Sequence, residues 1–314
     1  MAGVVAPSCR PAVGRPTLWR RLVAEAAGSA LLAAAVIGSG IAAQRLSPGD
    51  AGLELLENAA ATAAGLYAII LMFGPVSGAH FNPVVSVVDA AFGGLRWRDA
   101  AAYLPAQVGG CVGGAVLANL MFAGAAVGIS AKHRASPAHF LSEVVATAGL
   151  ILVIFALART GRARSVPAAV GAYIGAAYFF TSSTSFANPA ITAGRMFSDT
   201  FAGIAPSSVP AFVAAQLAGG VAAYGLIRAL YPGVTPAPAA DLGGAMMHLV
   251  AAGGSDAGIS AAALADRPAV QGQRALQRRQ PLGHDPVPHP GTALVLVHQA
   301  GVEQHLQVMA DRRL

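Results

Sequence analysis

Two stretches place a carboxamide directly before a proline: His80-Phe81-Asn82-Pro83-Val84 and Phe186-Ala187-Asn188-Pro189-Ala190. Asparagine is a preferred helix N-cap, and proline suits the first helical position, where a missing N–H costs nothing. Each pair therefore marks a helix start, and a helix start is a source of hydrogen-bond donors with roughly half a positive charge. Two such starts aimed at one point, each with an Asn side-chain NH₂, would bind an uncharged hydroxylated molecule or water and disfavour cations. No nucleophile with its base accompanies them, so the chemistry on offer is solvation, not bond making. Each helix can run about ten residues before Gly93-Gly94 or Gly203. At 1.5 Å per residue that is roughly 15 Å, half the thickness of a bilayer hydrocarbon core.

The rest of the chain is built to hold such segments at membrane depth. Of 314 residues, 55% are hydrophobic and 11% charged, with mean hydropathy +0.59, against about 25% charged in soluble domains. Six apolar segments, at about 22–43, 55–76, 100–122, 138–158, 166–186 and 208–231, each approach the roughly 20 residues needed to span. The Asn-Pro pairs follow the second and the fifth. The order span, span, half-helix, span therefore occurs twice, over about 22–122 and 138–231. Residue matches support the repeat: Glu25 answers to Glu143 near the start of each half, and Gln107-Val108-Gly109-Gly110 to Gln216-Leu217-Ala218-Gly219-Gly220. Three spans per half is an odd number, so the second half must insert upside down.

Charge sets the expected orientation. With the N-terminus inside, the cytoplasmic segments hold Arg10, Arg15, Arg20, Arg21, Arg96, Arg98, Arg159, Arg162, Arg164 and Arg228, against Arg45, Lys132, Arg134 and Arg195 outside. This excess favours cytoplasmic N- and C-termini. The net charge of +6 lies in tails and loops with no basic cluster interleaved with aromatics, which argues against nucleic acid. Residues 1–21 and 232–314 are rich in Pro, Gly, Arg and polar residues and are expected to be disordered extensions, the first of them cytoplasmic. His284, His289, His298 and His305 have neither helical ligand spacing nor a cysteine beside them, so no metal site is expected. Cys111 reads as a buried small hydrophobe.

Paired Asn-Pro boxes in an inverted repeat of six spans resemble the major intrinsic protein (aquaporin) family, whose two Asn-Pro-Ala boxes open half-helices that meet at the midplane. Asn188-Pro189-Ala190 has the usual form and Asn82-Pro83-Val84 is a variant. The resemblance implies an all-α membrane protein of six transmembrane helices and two half-helices, a multi-pass protein of the inner (plasma) membrane. It also implies a homotetramer with one pore per subunit and no cofactor. Glu25 and Glu143 are carboxylates inside apolar spans, where an unpaired charge is costly. Either each lies near a solvated membrane face or each accepts hydrogen bonds from the backbone leading into a half-helix, and the resemblance favours the second.

In this family a narrowing on the outer side sets selectivity, with an arginine three residues after the second Asn. That position is Ile191, and the other filter positions fall at Thr62, Ala176 and Ser185. Such a set implies a wide, weakly polar opening, unlike a strict water filter. The pore mouths are expected to carry His80, Asp89 and Arg195. Arg195 stands seven residues after Asn188, so it either rings the outer mouth or pairs with Asp199 at i, i+4. The run Asn188-Pro189-Ala190-Ile191-Thr192-Ala193-Gly194-Arg195, with Asp199-Thr200-Phe201-Ala202-Gly203 beyond it, also looks like the aquaporin-like channels of bacterial arsenic-resistance operons. The expected function is thus a passive channel for small neutral solutes, arsenous acid or glycerol, together with water. The alternatives are a water-selective aquaporin and a secondary transporter, which would need more titratable groups at the midplane than the spans hold.

Overall fold

The computed structural model describes residues 16–232. Residues 1–15 and 233–314, which hold most of the expected N-terminal extension, the expected C-terminal one and its four histidines, lie outside the described residues. The elements are α1 (Leu18–Leu46), α2 (Ala51–Ser77), α3 (Pro83–Ala91), α4 (Trp97–Met121), α5 (Pro137–Arg159), α6 (Val166–Phe180), α7 (Pro189–Arg195) and α8 (Val209–Leu230). Among the described residues there is no strand. The order of two helices, a half-helix and a long helix occurs twice, with α6 the shortest of the six longer helices. Asp50 and Ser136 start α2 and α5 as side-chain N-caps, accepting from the N–H of Leu53 and His139.

Two boundaries differ from expectation. The first 21 residues are not all irregular, because α1 begins at Leu18 and carries Arg21, whose guanidinium is 2.8 Å from Asp99 at the start of α4. That buried partner draws the arginine into the helix. The fifth span ends at Phe180, six residues early. With 15 residues, α6 is about 22 Å long, and it is preceded by a single 3-10 turn at Ala163–Ser165. Among the described residues five helices are long and apolar enough to cross a membrane, and α6 is not one of them. The physical reason is that residues 181–187 leave the helix to lead the backbone into α7.

Small residues let the long helices cross closely, and the contacts repeat. A Cβ added at Gly110 of α4 would strike the carbonyl of Ala26, the residue after Glu25. One added at Gly219 of α8 would strike the carbonyl of Val144, the residue after Glu143. Gly114 meets Ala30 and Gly171 meets Ala63 in the same manner. Gly109 and Gly113 on α4 face open space instead. Thus α1 packs on α4 and α5 on α8, while α2 and α6 lie side by side.

Candidate pore

Each half-helix is opened by its asparagine. The Oδ1 of Asn82 accepts from the N–H of Val84 at 3.0 Å, and that of Asn188 accepts from Ala190 at 2.9 Å and from Ile191 at 3.3 Å. This turns each Nδ2 toward the other repeat. Asn82 Nδ2 donates to the carbonyl of Ala187, and Asn188 Nδ2 to the carbonyl of Phe81, both at 2.7 Å. The two helix starts therefore abut. A carboxamide has two N–H groups, so each asparagine keeps one for the cavity that both residues line. The second half-helix is shorter than the glycines suggest, since α7 ends at Arg195, well before Gly203.

The loops leading into these starts have one backbone shape. Counting back from Asn82 and from Asn188, the fourth, third and first residues all have positive φ: Gly78, Ala79 and Phe81 in one loop, Thr184, Ser185 and Ala187 in the other. Non-glycine residues in this region cost of order 1–3 kcal/mol each and persist only where the surroundings over-determine them. Here the surroundings are two carboxylates. Glu25 accepts from the N–H of His80 (3.0 Å) and Phe81 (2.7 Å), from Ser77 Oγ (2.6 Å) and from Gln107 Nε2 (2.8 Å). Glu143 accepts from the N–H of Phe186 (2.9 Å) and Ala187 (2.8 Å) and from Gln216 Nε2 (2.7 Å). The same glutamine amides bond Ser86 and Thr192 at 3.0 and 2.9 Å, tying each glutamate to the first turn of its half-helix. Both carboxylates are fully buried, so neither sits at a solvated face. With their N–H groups turned outward to the carboxylates, the loops line the cavity with Gly78, Ala79 and His80 on one side and Ser185 and Phe186 on the other.

The cavity encloses about 100 Å³ and runs past Thr62, Leu66, Asn82, Asn188, Ile191 and Tyr178. Its two ends differ. Phe92, just after α3, stacks under Arg159 at the end of α5, 4.3 Å from the guanidinium. The backbone after α7 instead joins the segment before α5, where Ser130 N–H donates to Met196 and Ala131 N–H to Asp199. The half-helices therefore end at opposite ends of α5, α3 just beyond Asp89 and α7 at Arg195.

At the Asp89 end His80 lines the cavity with its Nδ1 3.0 Å from Ser86 Oγ and its Nε2 3.6 Å from Asp89 Oδ2. At the Arg195 end the guanidinium lies over Phe186, 3.4 Å from the ring centre, and its Nε donates to the carbonyl of Ala202. Arg195 makes no ion pair with Asp199, whose carboxylate caps Ala131 instead. The helical i, i+4 pairing fails because α7 stops at Arg195. Arg134, from the loop before α5, approaches Phe186 from 5.1 Å and spends its nitrogens on the carbonyls of Gly203, Ser183 and Phe201. Burial lowers its pKa to about 10, which leaves it charged at neutral pH.

Three of the four expected filter residues, Thr62, Ser185 and Ile191, line the cavity; Ala176 does not. It is exposed on the far face of α6. The inward face of that helix runs through Val170, Ile174 and Tyr178 at four-residue spacing, two residues out of the expected register. The Tyr178 hydroxyl stands 3.2 Å from Thr62 Oγ1, so that end is narrower and more polar than Thr62, Ala176 and Ile191 would make it. Sequence reasoning also passes over Gln107 and Gln216 as site residues, although their identical places in the two halves are a visible signal. Phe186 and Arg134 carry no such signal, since their roles depend on where α7 ends.

Two reciprocally bonded half-helices inside a ring of apolar helices define a membrane channel with the aquaporin fold. The aquaglyceroporin of Plasmodium falciparum has that fold: its structure superposes with a TM-score of 0.54 over 72% of this chain and all of that one, at 20% identity. The major intrinsic protein family model matches residues 12–186, ending two residues before Asn188. The chain is 51% identical over 219 residues to Aquaglyceroporin AqpS of Rhizobium meliloti (strain 1021), covering 70% of this chain and 93% of that protein. It is 32% identical over 96 residues to the glycerol uptake facilitator protein of Bacillus subtilis (strain 168), covering 27% of this chain and 35% of that one. The chain belongs to the major intrinsic protein family, and it is a multi-pass membrane channel, not an enzyme.

Proposed function

We propose that this protein is a passive, bidirectional channel for small uncharged hydroxylated solutes, with glycerol or arsenous acid as the leading cargo and water passing as well. The observation that carries the reading is the cavity itself: two asparagine amides, each with one N–H to spare, face a lumen otherwise walled by Leu66, Val170, Ile174 and Ile191. A neutral solute recovers its lost hydration from those amides and from loop carbonyls. An ion recovers far less than it loses. The names of the relatives from R. meliloti and B. subtilis support a solute of this kind. Asn82 and Asn188 hold the solute at the midplane, and Thr62, Tyr178, Ser185 and Ile191 form the narrowing. Glu25 and Glu143 hold the loops, and His80 and Asp89 form the opposite mouth. The excess of cationic residues on the Asp89 side favours cytoplasmic termini, with the Arg195 end outside. The expected assembly is a homotetramer in the inner (plasma) membrane.

One contact favours a second reading. With Tyr178 hydrogen-bonded to Thr62, the narrowing closes around water, and the channel is then water-selective. Stopped-flow light scattering on proteoliposomes separates the two. Shrink-and-reswell kinetics in glycerol, and uptake of arsenous acid, well above empty vesicles establish the neutral-solute channel; water flow without solute entry establishes the other. Under the first reading Ile191→Arg reduces solute flux much more than water flux, and equal effects on both would remove Ile191 from the narrowing.

A further inference from the structure

The narrowing near Ile191 lacks a cation of its own, yet a guanidinium reaches that level from elsewhere. Arg195 is four residues beyond Ile191 on α7, on the same face, and both line the cavity. Helical side chains lean toward the helix N-terminus, which carries the long arginine back along α7. Its position over Phe186 shows how far back: Phe186 lies two residues before Asn188, in the loop that lines the narrowing.

We propose that Arg195 is the specificity-determining arginine of this channel, excluding cations and donating hydrogen bonds to the oxygen atoms of the passing solute. This rests on the neutral-solute reading for its cargo, but not for the exclusion of cations.

Three observations carry it. First, Arg195 is buried, with 2% of its surface exposed, and has no carboxylate partner among the described residues. A buried charge without a counter-ion is costly unless polar atoms solvate it. Second, the protein supplies only part of that solvation. Nε is taken by the carbonyl of Ala202, whereas neither terminal nitrogen has a hydrogen bond within the described residues and neither is sealed from the cavity. Those donors face the lumen. Third, the surroundings fix the group in place. Phe186 offers its ring face, a cation–π contact, and Arg134 on the same ring has all its nitrogens committed to carbonyls. Arg134 is thus a positioning residue whose charge adds to the barrier, and Arg195 is the one that meets the solute. Ser185 also lines the cavity, but its hydroxyl is sealed from the lumen, so among these neighbours the free donors that reach a solute are those of Arg195.

The repeat sharpens the point. Asp89 and His80 occupy the places in the first half that Arg195 and Phe186 occupy in the second. The Asp89 mouth carries a carboxylate as well as the Arg159 guanidinium, whereas Arg195 at the other mouth has no carboxylate partner among the described residues, so the barrier to cations is concentrated at the Arg195 end.

The test compares full-length wild type with Arg195→Met and Arg195→Lys in proteoliposomes, reading sodium and proton leak with trapped dyes alongside water flow. Arg195→Met is expected to raise the cation leak at least tenfold, and Arg195→Lys to hold it within about twofold of wild type. Adding Ile191→Arg to Arg195→Met is expected to restore exclusion, because it returns a guanidinium to the same level. A leak in Arg195→Met equal to wild type overturns the proposal. Should the methionine variant fail to insert, Arg195→Cys gives an independent reading: a positively charged methanethiosulfonate is expected to react and to cut water flow at least fivefold. An unreactive cysteine with unchanged flow also overturns it. Wild-type vesicles that pass water but no glycerol would sink the neutral-solute reading while leaving the leak comparison intact.

Discussion

Asn82 Nδ2 and the carbonyl of Ala187, 105 residues apart in sequence, stand 2.7 Å apart. The reciprocal bond, from Asn188 to the carbonyl of Phe81, has the same length. These two bonds are what join the halves at the midplane. Each asparagine thereby has three tasks: it caps its helix, clasps the other repeat and offers one N–H to the lumen.

Asn188→Asp tests that division. The carboxylate can still cap Ala190 and Ile191, but it cannot donate to Phe81, and its second oxygen then faces a carbonyl. Loss of a buried hydrogen bond with an unsatisfied partner costs about 1–3 kcal/mol, more when a charge is involved. The expected outcome is a thermal midpoint in detergent several degrees lower, together with a loss of glycerol flux. Wild-type stability and flux in this variant would mean the clasp is dispensable.

The glutamates should not be equal. Glu25 holds four donors and Glu143 three. Replacing either by Gln keeps the shape but turns an NH₂ toward at least one donor. We expect Glu25→Gln and Glu143→Gln each to destabilise the protein by about 2–4 kcal/mol, with Glu25→Gln the worse. Chemical or thermal denaturation in detergent measures the order. The reverse order would show that the strained loop backbone each carboxylate holds, and not the number of its donors, sets the cost.

How much of this is legible in the sequence depends on the kind of residue. Asn82-Pro83 and Asn188-Pro189 announce helix starts because capping and proline geometry are local, and Glu25 and Glu143 stand out because charge inside an apolar span needs a reason. The fifth span looks longer in sequence than it is because Thr181-Ser182-Ser183-Thr184-Ser185 carry no charge and no Gly or Pro, so no strong breaker separates Phe180 from Phe186, although the backbone there is an irregular loop. Ala176 is out of register for a related cause: helix rotation is a tertiary property, and α6 is apolar on every side, so nothing in its composition distinguishes Ala176 from Tyr178. The geometry of Arg195 depends on α7 stopping at it, which no local signal gives.

Close packing gives a cleaner pair. At Gly110 a Cβ would meet the carbonyl of Ala26, a backbone atom that cannot swing aside, while at Gly109 it would meet nothing within 4 Å. Overpacking typically costs 1–3 kcal/mol. Gly110→Ala is therefore expected to lower stability by about 2 kcal/mol and Gly109→Ala to leave it within about 0.5 kcal/mol of wild type. Gly219→Ala, which faces the carbonyl of Val144 in the other half, should match Gly110→Ala. Thermal midpoints of the three variants in one detergent decide it, and equal midpoints for Gly109→Ala and Gly110→Ala would show that α1 and α4 can separate at no cost.

Tyr178 decides how narrow the channel is. Its hydroxyl bonds Thr62 on the neighbouring helix α2, and its ring forms part of the wall that Ile191 also lines. Tyr178→Phe removes the hydroxyl and leaves Thr62 Oγ1 to solvate a passing molecule; Tyr178→Ala removes the ring as well and widens the passage. If the narrowing lies here, glycerol flux rises from wild type to Tyr178→Phe and again to Tyr178→Ala, while water flow changes less, because water already fits beside the ring. A larger solute that wild type excludes, such as a four-carbon polyol, should enter only Tyr178→Ala. Glycerol flux that is the same in all three would place the rate-limiting constriction at the asparagine pair instead, and Asn82 and Asn188 would then set both the barrier and the size limit.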